Sequence, residues 1–175
     1  MEASIFRIPL PDDYEGSVAA TLVRFAAGRA PSRAVLYLHG YVDYFFQTHM
    51  ARWFVARGWS FYALDLRKYG RSLEAGQTPY YCRDLHEYYP EIDRSIERMR
   101  QDRIERIVLM GHSTGGLLAS LYASDGRRRA DIERLILNSP FFEFNASWFK
   151  RRVAVPVAAV LGRLWPYAHK KNELS

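Results

Sequence analysis

Short apolar runs alternate with stretches whose apolar positions recur every three or four residues, between residue 34 and residue 137. Runs of the first kind read as buried strands and stretches of the second kind as amphipathic helices. Ser4 to Ile8 and Val18 to Phe25 are the first two strand candidates, with Pro9, Pro11, Asp12 and Gly16 punctuating the gap. Ala34 to Leu38 and Ser60 to Leu64 follow as short buried strands, separated by a helix over Thr48 to Arg57 that Gly58 stops. A long amphipathic helix is expected from Asp84 to Arg100, with Leu85, Tyr88, Ile92, Ile96 and Met99 on one face. Pro90 should kink that helix or mark its true first turn. Ile104 to Met110 reads as a strand, Ser113 to Ser124 as a helix and Ile132 to Leu137 as a further strand. The alternation predicts an α/β fold, a mostly parallel sheet flanked by helices.

Composition narrows the partners more than the fold. The 175 residues suffice for one domain with a substantial core, and the hydrophobic fraction of 49% is that of a globular chain. The longest apolar stretch, Val153 to Gly162, is interrupted by Pro156, so no transmembrane segment is expected. Glu2 and Arg7 break the N-terminal stretch, which argues against a signal peptide. The lone Cys82 rules out an intrachain disulfide and fits a reducing compartment, so a cytoplasmic placement is expected. Cys82 itself reads as structural.

The net charge of +6 comes mainly from scattered arginines, with one cluster at Arg127, Arg128 and Arg129 that reads as a solvated loop. No basic face with interleaved aromatics appears, so no nucleic-acid partner is expected, although the charge permits attraction to an anionic lipid surface. The five histidines and one cysteine show no metal-ligand spacing, and no glycine-rich phosphate loop with lysine is present. Neither a metal nor a cofactor is expected.

The chemistry concentrates where the strand ending at Met110 meets Gly111-His112-Ser113-Thr114-Gly115-Gly116. A Gly-x-Ser-x-Gly turn between strand and helix is the sequence form of a nucleophile elbow, with Ser113 held in unfavourable backbone angles above the sheet. Upstream, Leu38-His39-Gly40-Tyr41 follows a buried strand. In this architecture that loop and the residue after the nucleophile each supply a backbone N–H to an oxyanion hole, which nominates the Tyr41 and Thr114 amides. The other reading of His39-Gly40 is a turn glycine above a packed histidine. Asp65 and Arg67 are expected to brace the loop after the next strand, with Gly70 in a tight turn. His112 adjoins the nucleophile, but neighbours around a sharp turn point apart, so a packing role is expected.

Together, Leu38-His39-Gly40-Tyr41, Asp65-Leu66-Arg67-x-x-Gly70-Arg71-Ser72, the Ser113 turn and Asn138-Ser139-Pro140 resemble the α/β-hydrolase superfamily. Within it, the chain is similar to the serine aminopeptidase, lysophospholipase and monoacylglycerol-lipase-like group. The resemblance implies a serine hydrolase of carboxylic esters, lipid or small acyl esters, that works through an acyl-Ser113 intermediate. It also implies a hydrolase core over residues 1–144, with 145–175 as the beginning of a helical cap and a polar tail. The aromatics at Tyr41 to Phe46, with Trp148, Phe149 and Trp165, suit either an acyl chain or the core.

The same resemblance places an acid and then a histidine on loops after later strands. Downstream of Ser113 the histidine present is His169, and the acids are Asp125, Asp131, Glu133, Glu143 and Glu173. Glu143 and His169 are the nominal acid and base, and both fit the pattern poorly. The sheet is therefore expected to be C-terminally incomplete, with its acid and histidine in a missing half. The strand at Ile132 to Leu137 would then be an open edge that invites self-association or a complementing fragment. A non-catalytic partner or binding module on the same scaffold is the competing expectation. Peptidase or haloperoxidase chemistry also stays open, whereas a dehalogenase would need a carboxylate where Ser113 stands.

Overall fold

The computed structural model describes residues 2–28, 31–143, 152 and 155–164. They fall into two compact units, Met1–Phe141 and Phe142–Ser175. In the first unit six strands form one sheet in the order β1-β2-β4-β3-β5-β6. The strands are β1 (Ser4–Pro9), β2 (Ala19–Phe25), β3 (Arg33–Leu38), β4 (Ser60–Asp65), β5 (Arg106–His112) and β6 (Ile132–Asn138). β1 and β2 form an antiparallel pair and β2 joins β4 antiparallel, while β4, β3, β5 and β6 run parallel.

The central strands are buried on both faces, which is why they read as unbroken apolar runs rather than alternating ones. Along β4, Tyr62 and Leu64 enter one core cluster and Phe61 and Ala63 the other. Residues on β3 and β5 divide in the same way, Leu36 and Leu109 to the first face, Tyr37 and Met110 to the second. Successive side chains in a strand point to opposite faces, so each short run serves two cores. Helix α1 (Thr48–Val55) contributes Ala51 to the second cluster. Helices α2 (Tyr89–Gln101) and α3 (Thr114–Asp125) cover the first, through Ile92, Ile96 and Met99 from α2 and Leu118, Ala119 and Tyr122 from α3.

The helix expected from Asp84 begins differently. Leu85–Tyr88 form a 3-10 turn capped by the Asp84 carboxylate, which accepts the His86 amide at 2.8 Å. The α-helix starts only at Tyr89, with Pro90 in its first turn, where a missing N–H costs nothing. Helix α1 ends at Val55, two residues short of the expected Arg57.

The edge strand β6 departs most from its neighbours. Leu135, Ile136 and Leu137 are 39%, 39% and 38% exposed, whereas Leu109, paired with Leu135 across the ladder, is fully buried. Among the described residues no strand pairs the outer edge of β6. In the second unit α4 (Val155–Leu164) carries Val157, Val160, Leu161 and Leu164 at helical spacing, all exposed.

Candidate active site

The chain passes from β3 to β4 on one side, then returns through β5 on the other side of β3. Such a reversal opens a crevice at the carboxyl ends of the two diverging strands, here β3 and β5. The two loops singled out from the sequence leave those ends.

Ser113 lies between β5 and α3 with φ +53° and ψ −120°, a conformation that L-residues rarely adopt. Its amide donates to the Asn138 carbonyl at 3.1 Å, and its carbonyl accepts from Gly116 and Phe141, both at 2.9 Å. The strained turn is thus fixed from three sides. A Cβ on Gly111 would stand 2.2 Å from the Gly115 carbonyl oxygen, and one on Gly115 would stand 2.3 Å from that of His39. Only glycine lets β3, β5 and α3 meet this closely. Although Ser113 occupies the N-cap position, its side chain makes no capping hydrogen bond. The hydroxyl stands at the positive end of α3 without being spent on it.

On the β3 side, Gly40 brings its α-carbon so near that an added Cβ would lie 3.3 Å from the Ser113 Cβ. His39 beneath it is 1% exposed. Its Nε2 accepts the Leu66 amide at 3.1 Å, and Nδ1 lies 2.8 Å from the Gly40 carbonyl oxygen. These partners define a neutral ring with the proton on Nδ1. Burial pushes its pKa below the ordinary imidazole value, against the pull of the Gly40 carbonyl and the Asp65 and Asp43 carboxylates. His39 is therefore a packed support of the loop, and the two readings of His39-Gly40 turn out to be compatible.

Tyr41 and Thr114 line the same cavity of about 300 Å³. Thr114 opens α3, where the first amides have no acceptor within the helix. The aromatic loop divides: Phe45 is 1% exposed in the second core cluster, while Tyr41, Val42, Tyr44 and Phe46 are exposed.

Asp65 braces the loop after β4, as expected, through Arg71, and it also holds the aromatic loop. Its fully buried carboxylate accepts the Phe45 amide at 2.9 Å and the Arg71 guanidinium at 2.7 Å. Arg71 also donates to the Phe45 carbonyl at 2.9 Å, which closes the link between the two loops. Arg67 pairs instead with Glu91, in the first turn of α2, at 2.8 Å, and both are buried. Lys68, at φ +62°, lies 2.7 Å from both Asp13 and Glu15. No local pattern signals the partners of Arg67 and Lys68, because each pair joins segments more than twenty residues apart.

The remaining candidates are dispersed. His112 directs Nδ1 to the Asn138 carbonyl at 3.3 Å. Asp125 is the last residue of α3, bound to Tyr89 at 2.5 Å and near His86 at 3.4 Å, roughly 18 Å along the helix from Ser113. Asp131 pairs with Arg100 and Glu133 with Arg106, so both serve the outer surface. Glu143 belongs to the second unit. His169, Glu173, Trp148, Phe149 and Trp165 lie outside the described residues. Among the described residues no group of three His, Cys, Asp or Glu side chains converges to hold a metal, and no helix is long and apolar enough to cross a membrane.

Residues 29–175 match the model of the family described as serine aminopeptidase, S33. The chain belongs to that family. A monoacylglycerol lipase of Mycolicibacterium smegmatis is 34% identical over 139 residues, which cover 78% of this chain and 47% of the lipase. The chain thus spans about half the length of the curated relative it matches. Among solved structures, a soluble variant of monoglyceride lipase from Saccharomyces cerevisiae superposes with a TM-score of 0.73 at 16% identity, covering 96% of this chain and 54% of the other. A carboxyl esterase from Bacillus coagulans gives 0.62 at 19% identity, covering 77% and 44%. These likenesses establish the α/β-hydrolase fold.

Proposed function

We propose that this S33-family chain is the nucleophile-bearing part of a carboxylic ester hydrolase that works through an acyl-Ser113 intermediate. The observation that carries the reading is Ser113 itself: a strained N-cap serine whose hydroxyl leaves the helix uncapped. Ser113 Oγ attacks the ester carbonyl carbon and gives its proton to a histidine base. The carbonyl oxygen becomes an oxyanion that accepts from the Tyr41 and Thr114 amides. One such donor contributes on the order of 3 kcal/mol to lowering the barrier. Collapse expels the alcohol, which takes up the proton, and water then hydrolyses the acyl-serine by the reverse sequence. The lipase relative supports an acyl-lipid or small acyl ester as substrate.

The base and acid are the open part of the reading. His39 and His112 are bonded to the backbone, and His86 sits in an exposed cluster with Asp84 and Asp125. We assign the acid and histidine to a segment that pairs with the exposed edge of β6, with Glu143 and His169 as the alternative within this chain. A scaffold that binds without catalysis is the second reading, favoured by the lack, among the described residues, of a histidine–carboxylate pair beside Ser113.

Intact mass after a fluorophosphonate probe, with Ser113→Ala as control, tests the proposal. A single adduct absent from the variant supports an armed serine. Well-folded wild-type chain that takes up no probe, even with a β6-pairing segment supplied, leaves the binding scaffold.

A further inference from the structure

The cavity that Tyr41 and Thr114 share runs between the loop after β3, the start of α3 and the segment 80–88. Its walls grade from solvent to core: Tyr41 is 58% exposed, whereas Leu66, Tyr69, Tyr88 and Leu118 are buried. Tyr41 thus marks the mouth, and the buried groups mark the inner end.

The inner walls offer a guest almost nothing polar. Both ring nitrogens of His39 are engaged by backbone groups, and the Tyr69 hydroxyl donates to the Tyr80 carbonyl at 3.4 Å. The Tyr88 hydroxyl lies against the Cys82 thiol and the Tyr69 hydroxyl and has no appreciable accessible surface. Burial pushes the Tyr88 phenol and the Cys82 thiol upward, so neither carries charge at neutral pH. Among the described residues no carboxylate, lysine or arginine lines the cavity. A polar or charged group placed there would lose its water without gaining a partner, so the inner end suits a hydrocarbon.

Leu118 holds a particular position in that wall. It stands one helical turn after Thr114 on α3, and residues four apart share a helix face, so both reach the same cavity. From Ser113 it lies five residues on, roughly 7.5 Å along the helix axis. A chain anchored at Ser113 and running along α3 therefore meets the Leu118 side chain. At roughly 30 Å³ for each water-sized group, the cavity of about 300 Å³ holds about ten heavy atoms.

Building on the ester-hydrolase reading, we propose that this cavity receives the acyl chain of the ester and that Leu118 sets its length limit. The substrate class is then an ester of a neutral acyl group of about ten heavy atoms or fewer, not of a long-chain one.

Methyl ketones from 2-pentanone to 2-tetradecanone, which an esterase does not hydrolyse, test this when titrated calorimetrically into the whole chain. Affinity is expected to rise about fourfold for each added methylene and to level off near 2-nonanone, a ketone of about ten heavy atoms. Leu118→Ala deletes the isopropyl group and should move that break about three carbons longer. Leu118→Val should move it by about one carbon, and it decides the matter if the alanine variant does not fold. Ile96→Val, a truncation in the same core away from the cavity, should leave the break in place. A break that stays put in the Leu118 variants overturns the proposal, and so does a continuous rise to 2-tetradecanone or an equal shift in Ile96→Val. A Leu118-dependent break in a chain that takes up no fluorophosphonate would keep the compartment and refute the hydrolase reading. Fluorophosphonate uptake with no such break would do the reverse.

Discussion

The Nε2 atom of His39 accepts the Leu66 amide at 3.1 Å, which ties the end of β3 to the loop after β4 beneath Ser113. The bond exists only while the imidazole is neutral. Because burial lowers the folded-state pKa of His39, the unfolded chain binds the proton more readily. Its contribution to stability is complete above the ordinary imidazole value of about 6.5 and is lost as pH falls below it toward the depressed folded value. His39→Gln should be less stable than wild type at pH 8 but flatter between pH 7 and 5.5. Each wild-type pH unit in that window costs at most about 1.4 kcal/mol. Urea unfolding at several pH values checks this, and parallel curves for the two proteins would refute it.

Strain at Ser113 is testable by removing its Cβ. A residue held in such a region costs of the order of 1–3 kcal/mol, against roughly 0.5–1 kcal/mol for the greater unfolded-state freedom of glycine. Ser113→Gly should therefore gain about 1 kcal/mol in denaturant unfolding while losing all fluorophosphonate labelling. A destabilised variant would mean that the turn is not strained.

The buried pair of Arg67 and Glu91 should behave asymmetrically. Glu91→Leu alone strands a buried guanidinium and should cost about 3–5 kcal/mol. Adding Arg67→Met should recover part of that loss. Recovery should be incomplete, because the Arg67 amide also donates to Glu91 at 3.2 Å and stays unpaired in the double variant. A double-mutant cycle from denaturation midpoints measures the coupling, and strict additivity would contradict it.

The edge of β6 should govern association. Exposed backbone groups beside Leu135, Ile136 and Leu137 form a template for another strand. Sedimentation of wild-type chain is expected to show concentration-dependent self-association that Ile136→Lys suppresses. Identical behaviour of the two proteins would remove β6 as the contact.

Much of the core fold was legible because local signals and tertiary demands agree there. β3, β4 and β5 are short apolar runs, and burial on both faces needs nothing else from a strand. The turn at Ser113 was legible because three crowded glycines leave a fixed spacing in the chain. Less visible was the entry to α2, where Asp84 caps a 3-10 turn and the α-helix starts at Tyr89 rather than at Asp84. The aromatic loop was ambiguous for a physical reason: Phe45 and Phe46 are chemically alike, and only the packing of Phe25, Tyr37 and Phe61 around Phe45 decides which is core.

By itself, the sequence determined the strand and helix periods, the strained serine and the glycines that admit it, since each depends on residues close in the chain. Tertiary structure alone decided which distant groups meet. It set Arg67 on Glu91, Lys68 between Asp13 and Glu15, and His39 under Leu66. Among the described residues it also left β6 open at the sheet edge. Such partnerships follow from strand order and loop closure, which no local pattern encodes, and burial then makes each of them strong enough to matter.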